Sequence, residues 1–131
     1  MNISGINRQL LEDLLYLGMN SSDEEGRPVE FAGFLMEKDG IIDEIYLLPG
    51  TRSGDSFANV FMEMMPLDTH MAGSAHSHPN GVLRPSAADL IFFPKSGNVH
   101  IIVGPPYDID GLKSWRCFSS DGTPRDLEVI G

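Results

Sequence analysis

Apolar residues near the start of the chain recur at the spacing of a helix. They occur every three to four residues and so fall on one helical face, and Gly18 follows the last of them as a residue that can end a helix. We therefore predict an amphipathic helix over residues 6–17 and a polar loop over residues 21–28. The apolar positions are Ile6, Leu10, Leu11, Leu14, Leu15 and Leu17.

Short apolar runs in the rest of the chain are separated by clusters of Gly, Pro, Asn and Asp, which is typical of strands joined by turns. Lys38-Asp39-Gly40 separates two such runs and predicts a hairpin. Ser86 can open a short helix, and Pro94 can end it. The predicted strands cover residues 29–37, 41–48, 71–76, 99–103, 112–118 and 125–130. Between them, residues 49–55 predict a loop, and residues 56–65 fit a strand or a short helix, with a strand favoured.

Length and hydropathy indicate a single globular domain over residues 1–131. A chain of 131 residues, 41% of them hydrophobic, can bury one core and has little room for a second. No segment approaches the roughly 20 consecutive apolar residues that a membrane span requires. The N-terminal residues lack a basic stretch, a long apolar run and a cleavage site, so we expect a cytoplasmic protein with no membrane partner.

Cysteine content and charge narrow the classes of function. Cys117 is the only cysteine, which excludes an internal disulfide and any metal site that needs two thiolates. The formal net charge of -10 disfavours contact with phosphate backbones, because nucleic-acid binders gain most of their affinity from Lys and Arg. We therefore expect no nucleic-acid partner, and a bound metal must be held mainly by His and carboxylate groups.

Three potential metal ligands, His76, His78 and Asp89, lie close together in the sequence. On a strand, a spacing of two puts both imidazoles on one face, where they can reach the same ion. The breaker-rich segment 79–85 can reverse the chain, so that Asp89 supplies a carboxylate from the first turn of the next helix. Two imidazoles and one carboxylate leave a fourth tetrahedral position open, which distinguishes a catalytic zinc site from a structural one. The spacing therefore predicts a catalytic Zn2+ site.

A zinc hydrolase also needs a general base that does not bind the metal. Zinc lowers the pKa of a water to about 7 and polarises a carbonyl group, and a nearby carboxylate then moves the proton. Glu30 lies among apolar residues, where a raised pKa would suit this role. Glu37 belongs to the same predicted strand, so the pattern alone does not choose between the two carboxylates.

Each part of this constellation also has a simpler structural interpretation. A lone strand histidine is usually a packed side chain, and Ser-x-x-Asp from Ser86 to Asp89 is by itself most simply a helix cap. We interpret His70 and His100 as structural residues, because neither has a partner at a ligand spacing. The combination of His-x-His, a proline and Ser-x-x-Asp, in that order, makes coincidence improbable.

These stretches resemble the motif of the JAMM (MPN-plus, JAB) zinc metalloproteases, which is Glu followed by His-x-His-x7-Ser-x-x-Asp. The match consists of His-Ser-His-Pro at residues 76–79 and Ser-Ala-Ala-Asp at residues 86–89. The segment around Glu30 resembles the strand that carries the family's catalytic Glu, and Val99–Val103 resembles the strand after the motif helix. The resemblance begins near Val29 and is to the compact prokaryotic members of the family.

The resemblance implies a role for each matching residue. It implies that His76, His78 and Asp89 bind zinc, that Glu30 is the general base, and that Ser86 donates a hydrogen bond to the oxyanion. Members of the family cleave the amide bond after the C-terminal Gly-Gly of ubiquitin or ubiquitin-like proteins, so such a protein or its conjugate is the implied partner and substrate. The implied fold is α/β: the JAB1/MPN fold, similar to cytidine deaminases, with a curved, mixed and largely antiparallel sheet flanked by helices.

Three other protein classes share parts of this pattern. Zinc deaminases need His-x-Glu and Pro-Cys-x-x-Cys signatures, which the sequence lacks. RadC-like proteins associated with DNA repair carry a similar motif, but usually with a helical DNA-binding domain for which the length and charge here leave no place. Inactive MPN scaffolds lose metal ligands, whereas the full set is present. The sequence therefore predicts a zinc metallopeptidase of isopeptidase type and leaves its oligomeric state open.

Overall fold

The structure is a computed structural model that describes residues 2–48, 70–110 and 114–131. Within these ranges the chain forms seven strands, two α-helices and a short 3-10 turn at Phe93–Lys95. In chain order the elements are β1 (Gly5–Asn7), α1 (Arg8–Asn20), β2 (Ala32–Lys38), β3 (Ile41–Leu47), β4 (Met71–Ser77), α2 (Ala87–Phe92), β5 (Val99–Val103), β6 (Trp115–Phe118) and β7 (Glu128–Ile130). The predicted loop at 49–55 and the predicted strand at 56–65 lie outside the described residues.

The seven strands form one mixed sheet in the order β6-β5-β4-β2-β3-β1-β7. The pairs β2–β3, β2–β4 and β5–β6 are antiparallel, and they carry more of the paired residues than the three parallel pairs. Strand β4 lies in the interior of the sheet, between β2 and the parallel strand β5. The predicted α/β fold with a mixed sheet is therefore confirmed.

The sheet buries both of its faces, and a helix packs near each face. On one face α1 contributes Leu10, Leu11, Leu14 and Leu15 to a core that also contains Leu35 and Ile101. On the other face, Phe92 and Phe93 pack against Phe34, Ile102 and Phe118. Because side chains alternate along a strand, neighbouring residues such as Ile101 and Ile102 enter different cores. Any side chain on the second face of β4 therefore points towards α2.

Helix α1 differs from its prediction at both ends. Ile6 belongs to β1, where it pairs with Ile42, and Asn7 begins the helix because its side chain accepts a hydrogen bond from the Leu10 N–H. Gly18 lies inside the helix and does not end it. A Cβ atom at Gly18 would lie 2.6 Å from the Tyr107 ring, so this glycine allows the helix to pack closely against the loop after β5.

The predicted hairpin is confirmed as β2 and β3, with Asp39 and Gly40 both at positive φ in the turn. The predicted first strand began at residue 29, whereas β2 begins at Ala32. Residues 29–31 are not a regular strand, although Phe31 still exchanges hydrogen bonds with Ser77 at the end of β4.

The predicted strand 99–103 is confirmed with its bounds, and the predicted strand 71–76 extends by one residue to Ser77. The predicted strand 112–118 is present from Trp115, and its residues 112–113 lie outside the described residues. Ser86 caps α2, and Pro94 lies in the 3-10 turn that follows the helix. The last predicted strand is shortened because the Arg125 N–H bonds to the Cys117 carbonyl beside β6, and the chain reaches β1 only at β7. In the described part of the chain, neither helix has the length and hydropathy that crossing a membrane would require.

Candidate metal centre

His76 and His78 lie at the end of β4 that approaches α2. His76 is the residue before Ser77, the last residue of β4. The centre of its ring lies 6.3 Å from that of Phe92 and 6.5 Å from that of Phe93. His78 follows the last residue of β4, and its N–H continues the pairing with β5 by donating to the Val103 carbonyl at 2.8 Å. Pleating therefore places both imidazoles on the face that α2 covers.

Asp89 reaches the same place because of the way in which α2 begins. The Ser86 hydroxyl accepts a hydrogen bond from the Asp89 N–H at 3.1 Å, and the Asp89 carboxylate accepts one from the Ser86 N–H at 2.8 Å. This reciprocal pair is a capping box, with the carboxylate at the third helical position. The simple structural interpretation of Ser-x-x-Asp is therefore correct. The same cap also aims the Asp89 Oδ2 atom at the two histidines.

Three donor atoms converge on one point. The Nε2 atoms of His76 and His78 are 3.0 Å apart, and Asp89 Oδ2 lies 3.2 and 3.4 Å from them. Tetrahedral zinc with bonds of 2.0–2.1 Å holds neighbouring donors about 3.3 Å apart, so the triangle has the size of one face of a zinc tetrahedron. All three side chains are buried, and no other group of three such residues in the described ranges comes together in this way.

The hydrogen-bonded state of His78 also suits a metal. Its Nδ1 atom lies 2.8 Å from the Val82 carbonyl, which can only accept, so Nδ1 carries a proton and donates it. In the neutral ring the lone pair then lies on Nε2, the atom that faces the cluster. A carbonyl that fixes the tautomer in this way is the usual support of a histidine ligand. The donor set and its geometry therefore fit zinc.

The protonation of Asp89 and that of His78 depend on each other. Burial acts to raise the pKa of the Asp89 carboxyl, but contacts with both imidazoles and the Ser86 N–H hold that pKa far below its ordinary value. Burial acts to lower the pKa of His78, yet Asp89 and the Val82 carbonyl raise it above its ordinary value. Asp89 is therefore an anion, and it would supply the one negative charge of the ligand set when a metal binds.

Glu30 lies beside this cluster, and Glu37 does not. Ala32 pairs with His76 in the β2–β4 ladder, and Phe31 bonds to Ser77, so the next step of the same register brings Glu30 opposite His78. Glu37 lies seven residues further along, about 23 Å away at 3.3 Å per residue, where its carboxylate accepts a hydrogen bond from the Gly40 N–H of the hairpin turn. Of the two carboxylates that the sequence left open, Glu30 is the one that lies beside the cluster.

The surroundings of Glu30 raise the pKa of its carboxyl group. Burial raises the pKa of the Glu30 carboxyl, and Asp89 reinforces the rise while His76 and His78 oppose it. Glu30 is only partly buried, and it lines a cleft of about 280 Å³ between the end of α1 and the end of β3. A carboxylate with these properties can exchange protons beside the metal position.

The other titratable candidates lie outside the cluster. The His100 ring is buried, stacks on Phe93 at 4.0 Å, and bonds to Ser74 Oγ and to the Gly97 carbonyl, as expected of a structural histidine. His70 lies before β4 at the far end of the strand. Burial raises the pKa of the Cys117 thiol to about 12, so this thiol is not a nucleophile.

Sequence reasoning missed the parts of the site that support the ligands. The Val82 carbonyl, the Phe92 and Phe93 rings and the Ser77 hydroxyl hold the ligands or the Glu30 segment in place. The role of the Val82 carbonyl could not be predicted, because every residue has a backbone carbonyl. Phe92 and Phe93 have the pattern of ordinary core residues. Only the position of Ser77 between two candidate ligands could have drawn attention to it.

Comparisons with known proteins agree with this geometry. A family model described as prokaryotic homologs of the JAB domain matches residues 15–118. A probable metalloprotease from Haloferax volcanii is 41% identical over an aligned length of 128 residues. The match covers 90% of this chain and 76% of the relative.

Two solved structures of similar size have the same fold. One is a JAB1/MPN domain protein from Archaeoglobus fulgidus, with a TM-score of 0.72, 31% identity, and coverage of 97% of this chain and 99% of that one. The other is described as JAMM, a metalloprotease-like zinc site in the proteasome and signalosome; it has a TM-score of 0.71, 31% identity, and coverage of 99% and 100%. With the metal-binding triangle, these likenesses support a metallopeptidase. The chain belongs to the prokaryotic JAB-domain family of JAMM/MPN-plus zinc metalloproteases.

Proposed function

We propose that the protein is a zinc-dependent isopeptidase that hydrolyses the amide bond after the C-terminal Gly-Gly of a ubiquitin-like modifier. In this proposal His76, His78 and Asp89 hold the zinc, Glu30 is the general base, and Ser86 stabilises the oxyanion. The observation that carries the proposal is the partly buried Glu30 beside a buried triangle of three ligand atoms, at the edge of an open cleft.

The chain's own residues divide the reaction between them. Zinc in this triangle would lower the pKa of a water and polarise the scissile carbonyl. Glu30, outside the triangle, accepts the proton of the attacking water and passes it to the departing amine. The C–N bond breaks as a C–O bond forms, so the products are a carboxylate and a free amine. Burial raises the pKa of Glu30 above its ordinary value, which makes its carboxylate a stronger base towards the proton of the water.

Ser86 is suited to the third role. Its oxygen accepts the Asp89 N–H, which leaves the hydroxyl hydrogen to donate elsewhere, and the residue is exposed at the edge of the site. A neutral donor beside the substrate carbonyl stabilises the negative charge that develops on its oxygen. The helix cap and the oxyanion donor are therefore compatible functions of one side chain.

The cleft beside Glu30 supports an extended peptide substrate. It has a volume of about 280 Å³ and is lined on its apolar side by Leu17, Val29, Leu47 and Leu48. Because Glu30 lines this cleft, a peptide that lies in it passes beside the proposed general base. The cleft thus offers a place for a substrate chain, and the preference for a Gly-Gly terminus is proposed from the family's substrate class.

The test is cleavage of a modifier–lysine isopeptide by zinc-loaded protein. We expect Glu30→Gln to lower kcat by at least about 100-fold, because general-base catalysis contributes on the order of 100- to 10,000-fold. The matched control is Glu37→Gln, a change of the same kind in β2 that keeps an oxygen for the Gly40 N–H. It should leave kcat within about twofold of the unchanged protein.

The other outcomes are equally informative. Equal losses in the two variants would remove Glu30 from the reaction, and cleavage that survives both a chelator and Glu30→Gln would exclude the mechanism. Zinc binding without turnover on any Gly-Gly conjugate would favour an inert scaffold. Tight, salt-sensitive DNA binding would favour a RadC-like role instead.

A further inference from the structure

The loop between β4 and α2 has a defined internal structure next to His78. The Gly81 N–H donates to the His78 carbonyl at 2.9 Å, and Gly81 has a φ of +79°, a conformation that favours glycine. The Val82 carbonyl is thereby turned back towards the strand, where it accepts the His78 Nδ1–H at 2.8 Å. The loop thus folds back on the His78 ring and binds its Nδ1 atom, while the Nε2 atom of the same ring faces the cluster.

Asn80 holds Val82 in this orientation. Its Oδ1 atom accepts the Val82 N–H at 2.9 Å, so the amide nitrogen and the carbonyl of Val82 are fixed by two different partners, Asn80 and His78. Asn80 itself is exposed and belongs to neither hydrophobic core. Among the contacts described for its side chain, the bond to Val82 is therefore the one through which it can act.

We propose that Asn80 is a positioning residue for the metal centre, acting on His78 through the Val82 carbonyl. The inference rests on the proposed zinc role of His78 and extends it by one residue that does not touch the metal. Asn80 fixes Val82, Val82 fixes the Nδ1–H tautomer and the rotation of the His78 ring, and the ring presents its Nε2 lone pair to the ion.

The expected effect follows from the loss of this support. Without the Asn80 oxygen, the Gly81–Val82 peptide loses its partner, and the Val82 carbonyl on the next peptide is held less firmly against His78. The His78 ring must then be ordered when zinc binds. Removal of partners that support metal ligands typically weakens metal affinity by 10- to 100-fold. Because Asn80 acts at one remove, we expect Asn80→Ala to raise the zinc Kd by about tenfold, the lower end of that range.

The experiment measures the zinc Kd by competition with a chromophoric chelator, with no substrate present. Asn80→Asp keeps the accepting oxygen and should bind zinc within about threefold of the unchanged protein. The matched control is Asp108→Ala, which removes a side-chain acceptor of the same kind, since Asp108 Oδ1 accepts the Asp110 N–H at 3.0 Å in a loop with no described bond to the cluster. It should leave the zinc Kd unchanged.

Urea unfolding of the zinc-free proteins separates positioning from a general structural role. We expect the equilibrium constant for unfolding of Asn80→Ala to stay within about threefold of the unchanged protein, as for most exposed positions. A zinc Kd that does not change in Asn80→Ala, or that rises equally in Asn80→Asp, overturns the inference. If the unchanged protein binds no zinc, both this inference and the proposed function fail, whereas zinc binding without peptidase activity leaves the role of Asn80 standing.

Discussion

Single residues in this site owe their function to partners far away in the sequence. Glu30 and Glu37 are chemically identical and lie on one apolar run, so the residue pattern could not rank them. The ladder between β2 and β4 does so, because it sets Ala32 against His76 and thereby brings Glu30 to His78. A pairing between distant segments is the kind of information that a local pattern lacks.

His100 is predicted to make stability depend on pH. The buried ring is satisfied in its neutral form, since Nε2–H donates to the Gly97 carbonyl and Nδ1 accepts from the Ser74 hydroxyl. Burial lowers the pKa of His100 from 6.5 to about 4. The unfolded chain therefore binds this proton more readily, and the contribution of His100 is complete above pH 6.5 and is lost as the pH falls towards 4.

The loss should reach at most about 3 kcal/mol, the free-energy equivalent of this pKa difference. Urea unfolding of the zinc-free protein at several pH values between 4 and 7 measures it. Replacement His100→Gln keeps a donor and an acceptor without a titrating group, so the difference in unfolding free energy between the two proteins should shrink as the pH falls. A difference that is constant across this range would contradict the assignment of a neutral, buried His100.

At the scale of helices and strands, the sequence predicted the type of most described elements correctly and their first and last residues less accurately. The helix after the metal motif, the Asp-Gly hairpin and the strand Val99–Val103 follow from local signals that the tertiary structure keeps. Helix α1 was displaced because Ile6 fits a helical spacing and a strand equally well, and pairing with Ile42 decides for the strand. The predicted end of α1 was too early, because Gly18 does not cap the helix but gives room for the Tyr107 ring.

The first turn of α2 allows the two functions of Ser86 to be separated. Ser86→Ala removes the cap acceptor and the hydroxyl donor together, so we expect a loss of about 1 kcal/mol in stability and of about 100-fold or more in kcat. Ser86→Gly should lose as much kcat but only a few tenths of a kcal/mol, because glycine is well tolerated as an N-cap. Both variants retain the Ser86 N–H that binds Asp89, so zinc affinity should change little.

Urea unfolding, steady-state kinetics and zinc competition on the same two variants measure these effects. Full activity in Ser86→Gly would restrict Ser86 to its structural role as a cap. A large loss of zinc affinity in both variants would instead show that the hydroxyl, and not the backbone N–H, orients the Asp89 carboxylate.

At the scale of the whole molecule, the metal centre joins two layers of the fold. His76 and His78 come from the sheet, and Asp89 comes from the helix that covers it, so a bound ion links β4 to α2. A ligand that binds only the folded state stabilises it, by about 2.7 kcal/mol at a concentration 100 times its Kd. We therefore expect zinc at that excess to raise the free energy of unfolding by this amount, and a chelator to reverse the change.

The control for this prediction is Asp89→Asn, which keeps an oxygen for the Ser86 N–H but removes the anionic ligand. Zinc should stabilise this variant by much less than the unchanged protein in the same urea titration. Equal stabilisation of the two proteins would place the bound zinc somewhere other than this triangle.

Sequence also predicted the ligand triangle more completely than the fold around it. The three ligands are close in sequence, so strand pleating and one helix cap suffice to bring them together. The positions of β1 beside β3 and of β7 beside β1 depend on pairings between segments that are distant in the sequence, which no local pattern indicates.

The hydrogen bonds between Phe31 and Ser77 join segments 46 residues apart, whereas the ligand triangle closes within one short stretch. Binding of the metal therefore requires only a short part of the chain to be folded, whereas the position of Glu30 requires the Phe31 segment to be paired with the end of β4. With Glu30 as the proposed general base, a change that loosens this junction would give a protein that binds zinc and does not hydrolyse its substrate. Zinc content is therefore a measure of local assembly, and turnover is the measure of native tertiary structure.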